Sequence, residues 1–140
     1  MDHTNKEVIL KLHHVWNSGS YELIPDVYAD KFIAHWPKGW GINDSHGHDG
    51  VAKAIKRIRT AYPDWHEEVA DMIIEGDRVV TRYMSSGTNS GKFDNLPATG
   101  KKIEFTEISI YRIHDNKVIE QWCLGDDIHL SKQLGLIPEN

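Results

Sequence analysis

The chain predicts an α+β fold in which N-terminal helices pack on a curved, mostly antiparallel sheet. Three observations carry that expectation. Three of the four helical patterns fall in the first half of the sequence, up to Tyr62. From Trp65 onward the pattern is one of strands and tight turns. The clearest strand, 102–113, has two unlike faces, because side chains alternate with period 2. Glu104, Thr106, Ile108, Ile110 and Arg112 lie on one side, and Phe105, Glu107, Ser109 and Tyr111 on the other. The second face mixes apolar and polar groups, as a pocket lining does. The first sets Ile108 and Ile110 among polar residues and suits contact with a second subunit. A curved sheet wrapped round helices, with a cavity inside and a homodimer outside, follows from those two faces.

Each element has its own signal. Residues 6–18 form an amphipathic helix with Val8, Leu12, Val15 and Trp16 at helical spacing, Thr4 as its cap and Gly19 as its breaker. A second, shorter helix spans 21–28, with Tyr21, Ile24, Val27 and Tyr28 inward and Pro25 in its first turn. Residues 30–36 are extended, with Phe32, Ala34 and Trp36 alternating against Ile33 and His35. The Gly-rich stretch 37–49 is a loop carrying Trp40, His46 and His48, placed to act as a pocket rim. A third helix spans 50–62, striped by Val51, Ile55, Ile58 and Tyr62 and stopped by Pro63. Strands follow at 65–75, 78–86, 102–113 and 118–126, with a loop at 87–100 and a hairpin turn at 114–117. A short helix, 128–134, closes a single domain over 1–140 without internal repeats.

Bulk properties narrow the function. A chain of 140 residues fits one domain that buries about two-thirds of its surface. Its net charge is −5, and no basic run is longer than the pair Lys101-Lys102. Nucleic-acid binding needs concentrated positive charge, so no nucleic-acid partner is expected. The basic residues of 53–59 are spread round one helix, as a solvated face requires. No apolar run approaches the ~20 residues of a membrane span, and the N-terminus is polar. With a lone cysteine, Cys123, unable to form an internal disulfide, the expectation is a cytoplasmic protein without membrane contact.

The chemistry centres on the run from Val118 to His129. On a regular strand Val118, Glu120, Trp122, Leu124 and Asp126 share a face, which sets Asp126 beside Trp122. A carboxylate against an indole wall is poorly solvated, and a poorly solvated carboxylate is suited to general acid/base work near neutral pH. The adjacent Asp127 points the other way unless a bulge turns both inward. His35 is placed to donate to a substrate oxygen or carry a proton, and a structural histidine bonded to backbone is the alternative. Trp36 and Trp122 are candidate cavity walls. Tyr111 offers its hydroxyl to an enolate. Arg82 and Glu107 form either a cross-strand pair or ligand contacts. His46 and His48 have no fixed third ligand, so no metal is expected, and His48 is the better candidate for ligand contact. Cys123 reads as a packed thiol, and Ser109 lacks the relay a nucleophilic serine needs.

Several short stretches now align with a known pattern. They are 32–35, Gly47-His-Asp-Gly50, Ala61-Tyr-Pro-Asp64, Val79-Val-Thr-Arg82, 87–93, Pro97-Ala-Thr-Gly100, Tyr111-Arg112, Glu120-Gln-Trp122, Asp126-Asp127 and Gln133-Leu-Gly135. In this order and spacing the chain resembles the SnoaL-like polyketide cyclases, of ester cyclase type, within the nuclear transport factor 2-like superfamily of α+β cone folds. That resemblance implies an intramolecular aldol condensation that closes a ring, with neither metal nor organic cofactor. It implies that the aspartate four residues after the tryptophan, Asp126, is the acid/base, and that Asp127 is a second acid. It makes His35, with Tyr111 or Asn89, the support of the oxyanion. Glu107 and Ser109 stand where cyclases often carry glutamine and histidine. Asn89 stands where many relatives have histidine after Gly-Thr. The expected ligand is a small apolar carbonyl compound, bound by Trp36, Trp40, His48, Arg82, Asn89, Glu107, Ser109, Tyr111 and Trp122. An isomerase, hydratase or dehydratase using the same site is the alternative, as is a ligand-binding protein without chemistry.

Overall fold

The computed structural model describes residues 2–40 and 42–139, with side chains from residue 5 onward. Helix α1 (Asp2–Ser18) starts earlier than predicted, and the capping role of Thr4 lies outside the described side chains. One stripe of α1 is buried: Ile9, Leu12, His13, Val15 and Trp16. The second predicted helix is a 3₁₀ turn, Tyr21–Leu23, that runs into the single turn α2 (Ile24–Val27). Tyr21 is exposed, and Tyr28 already begins strand β1 (Tyr28–His35). Strand β2 (Ser45–His46) pairs back on β1, and Gly47, at φ +68, turns the chain directly into α3 (Gly47–Ala61). Helix α3 buries Val51, Ile55, Ile58 and Ala61.

Four long strands follow: β3 (His66–Glu75), β4 (Arg78–Thr88), β5 (Lys102–His114) and β6 (Lys117–Gly125). Helix α4 (Asp127–Gln133) comes last. The β5–β6 turn is Asp115-Asn116 at φ 51 and 61, the paired positive angles of a type I′ hairpin. The strands form one sheet in the order β2-β1-β6-β5-β4-β3, antiparallel except between β1 and β6. Helix α3 packs on β1 and α1 on β3, so one face of the sheet is covered and the other is open. Among the described residues, no helix is long and apolar enough to cross a membrane.

The alternation predicted for β5 holds along the strand. Ile103, Phe105, Glu107, Ser109, Tyr111 and Ile113 are buried, while Ile108 and Ile110 stay exposed. Strand β6 departs from its predicted pattern. Arg112 sits opposite Glu120, but Ile113 sits opposite Val118, so Ile119 is an extra residue with no partner. This bulge reverses the alternation. Val118 is buried before it, Gln121 and Cys123 after it, and Leu124 is exposed.

Candidate active site

The cavity lies between α3, β5, α4 and the loops on either side, with a volume of about 190 Å3. Ile58, Tyr62, Trp65, Phe93, Phe105 and Leu130 make most of its wall apolar. Its charged group is Asp127, which is half-buried at the first residue of α4. The Trp40 indole N–H donates to Asp127 Oδ1 at 2.7 Å. Oδ2 has no hydrogen-bond partner among the described residues. Gly39 lets the chain pass close over it, since a Cβ there would stand 3.3 Å from Oδ2.

A smaller chamber of about 20 Å3 lies deeper and shares Trp40, Ile58 and Trp65 with the first. Its walls include Glu67, Tyr83, Glu107, Tyr111, Gln121 and Cys123. Glu67 and Glu107 are both buried, and no lysine or arginine is paired with either among the described residues. His13 Nδ1 meets Glu67 Oε1 at 2.8 Å, and the Trp65 indole donates to Oε2 at 2.9 Å. His13 Nε2 is 3.1 Å from the Thr81 hydroxyl and 3.4 Å from that of Tyr111. The Ser85 hydroxyl donates to Glu107 Oε2 at 2.6 Å. Burial, with Glu67 and Asp127 nearby as like charges, pushes the Glu107 carboxyl up to about 8. At neutral pH it is therefore mostly an uncharged acid, able to donate a proton.

Gly125 keeps the space between two of these acids open. A Cβ there would meet Glu107 Cγ at 3.3 Å and Asp127 Oδ1 at 3.5 Å. Asp127 thus stands at the mouth and Glu107 just behind it, with the Phe105 ring edge beside them, 3.2 Å from the same Cβ position.

The bulge at Ile119 changes which predicted residues reach this space. Asp126 does not face the cavity. It is exposed, and its Oδ1 accepts from the His129 backbone N–H at 3.2 Å to cap α4. Trp122 is on the outer face, so it is not a cavity wall. His35 is there with it, their rings stacked 5.6 Å apart. His35 bonds neither substrate space nor backbone. Its Nδ1 meets Asp44 Oδ2 and its Nε2 meets Glu120 Oε2, each at 2.8 Å. The hydrogen bond to Glu120 is the main cause of its raised pKa, with Asp44 adding to it. Arg112 Nη2 also donates to Glu120, at 3.0 Å.

The pair of Arg82 and Glu107 does not form. Arg82 sits opposite Ile108 and Glu107 opposite Tyr83, on opposite faces of the sheet. Arg82 lies 3.9 Å from Asp71 instead. His48 is on the first turn of α3, where its Nε2 donates to the Tyr28 carbonyl oxygen at 2.8 Å, away from the cavity. Trp36, Trp40, Glu107 and Tyr111 do line the interior. Asn89 touches the outer cavity, but its amide braces the neighbouring loop. It donates to the carbonyls of Ala61 and Gly91 and accepts from Thr99 N–H and Oγ1. Ser109 Oγ is shared by Tyr83 OH at 2.9 Å and Gln121 Nε2 at 3.2 Å. Among the described residues no group of three His, Cys, Asp or Glu side chains is arranged to hold a metal ion.

Sequence reasoning missed His13, Glu67, Tyr83 and Gln121. His13 had a signal, since it lies on the apolar stripe of α1, four residues after Ile9. Glu67 had none, because Glu67-Glu68 reads as a solvated strand start.

A profile described as SnoaL-like polyketide cyclase matches residues 6–134. No curated protein matches the chain. Among solved structures, a protein of Bacillus cereus named provisionally as a polyketide cyclase is 32% identical, with a TM-score of 0.78 over 96% of this chain and 82% of that one. IdmH of Streptomyces antibioticus, also named provisionally as a polyketide cyclase, is 27% identical, with a TM-score of 0.82 over 94% and 98%. AclR of Streptomyces galilaeus, named provisionally as a hydroxylase, is 24% identical, with a TM-score of 0.85 over 100% and 86%. The last of these speaks to the fold alone.

Proposed function

The chain belongs to the SnoaL-like polyketide cyclase family, and from that premise we propose that it closes a ring in a small apolar carbonyl compound by intramolecular aldol condensation, with Asp127 as acid/base. The observation that carries this reading is the place of Asp127. It is a carboxylate at the mouth of an apolar cavity, oriented by Trp40, with one oxygen open. Asp127 removes a proton from the carbon next to a carbonyl, leaving an enolate. The enolate carbon attacks a second carbonyl of the same molecule, and a carbon–carbon bond forms as that carbonyl's π electrons move to its oxygen. The resulting alkoxide takes the proton back from Asp127, so no other reagent is consumed. Glu107, as a neutral acid behind the mouth, supports the developing oxyanion by donating to it.

The test is proton–deuterium exchange, followed by NMR, on a panel of β-ketoesters and cyclic ketones in heavy water. Wild type is compared with Asp127→Asn and Asp126→Asn. Asp127→Asn is expected to lower exchange by about 100-fold or more, and Asp126→Asn to leave it near wild type. The reverse result would return the role to Asp126. Exchange without ring closure would assign an isomerase or dehydratase to the same base. Absence of exchange across the panel would favour a ligand-binding protein.

A further inference from the structure

We infer that the inner chamber is a subsite for one hydroxyl group of a ring-shaped ligand, and that Gln121 is the residue that selects for it. Gln121 is 3% exposed and lines the chamber. Its Nε2 donates to Ser109 Oγ at 3.2 Å. Its Oε1 is buried and has no donor among the described residues, an arrangement that folded proteins avoid unless a water or a ligand completes it. The neighbouring polar atoms are already engaged. Glu67 gives one oxygen to His13 and the other to Trp65, and Tyr83 OH meets Ser109. The open acceptor therefore belongs to Gln121.

Size and chemistry together define the occupant. A chamber of about 20 Å3 has room for one oxygen-sized group and no more. A ketone oxygen only accepts and leaves Oε1 unsatisfied. A hydroxyl donates to Oε1 and keeps lone pairs for the acid proton of Glu107. It also fits when the amide is turned over, because it accepts as well as donates. The outer cavity, walled by Trp40, Trp65 and Phe105, takes the flat ring that carries this hydroxyl. The inference rests on the reading of the outer cavity as a ligand site, and not on Asp127 acting as a base.

A trapped water supplies the same hydroxyl chemistry, so the experiment separates the two sources. Calorimetric titration compares 2-naphthol with 2-fluoronaphthalene, which has nearly the same shape and no donor. Wild type is expected to bind 2-naphthol about tenfold more tightly. Gln121→Met, close in size and without the acceptor, is expected to lose that preference while binding 2-fluoronaphthalene as before. Equal affinities in the wild type would mean that the chamber keeps a water, and would overturn the inference. So would failure of both probes to bind, or a preference that survives in Gln121→Met. The wild-type comparison stays decisive if that variant does not fold. Because no turnover is measured, loss of the naphthol preference and loss of α-proton exchange are separate results.

Discussion

Glu107 and Glu120 sit on adjacent strands of one hairpin, on opposite faces, and their surroundings push them in opposite directions. Glu107 is enclosed by Ser85, Tyr83 and Cys123, with other acids nearby and no lysine or arginine paired with it among the described residues, and its carboxyl is raised to about 8. Glu120 lies on the open face between His35 and Arg112, and hydrogen bonds from both lower its carboxyl below the ordinary range. Both are glutamates in extended backbone. The difference comes from desolvation without a counter-charge on one face and charge pairing within reach of water on the other. It also separates roles: the inner face holds a proton where chemistry is proposed, and the outer face ties Asp44 to the sheet through His35.

The largest expected effect that sharpens this contrast is that of Glu107→Gln. A carboxyl whose pKa is raised in the fold favours the native state fully below its ordinary 4.5, and this contribution is lost as pH rises through about 8. Wild-type stability, measured by denaturant unfolding, should therefore fall relative to Glu107→Gln between those values. The change is expected to be on the order of 5 kcal/mol. A parallel pH dependence in the two proteins would show that Glu107 is charged in the native state and that the two faces do not differ as described.

Asp126 and Asp127 give a smaller effect at the end of the same hairpin. Asp126→Ala removes the cap of α4 and should cost about 1 kcal/mol of stability while leaving ligand binding intact. Loss of binding together with unchanged stability would place Asp126 in the cavity and reverse the assignment of faces.

The smallest effect is on the outer face. His35 has a pKa raised above its ordinary 6.5, so its stabilising contribution is complete below that value and is lost as pH rises through the raised one. His35→Ala should therefore cost most on the acid side of neutrality, at most about 1 kcal/mol for so exposed a pair. The gap from wild type should close in alkali. A cost that grew with pH instead would mean that neutral His35 is the stabilising form.

The long helices and strands, the hairpin turn and the two faces of β5 were legible in the chain, because periodicity and turn chemistry are local properties, whereas the short strand β2 within the stretch read as a loop was not. The phase of β6 was not. A regular reading of Val118 to Asp126 puts Trp122 and Asp126 inside, and one extra residue at Ile119 puts Gln121, Cys123 and Asp127 there. That residue is set by how β6 pairs with β5, a contact between strands that no window of sequence contains. Glu67 was hidden for the same reason, since its partner His13 lies 54 positions away in the chain. The sequence by itself determined an α+β chain of known family with a pair of acids near the end of its last strand. Only the tertiary structure decided which acid faces the cavity, which glutamate loses its water, and which amide is left without a partner, because desolvation depends on what the whole fold brings together.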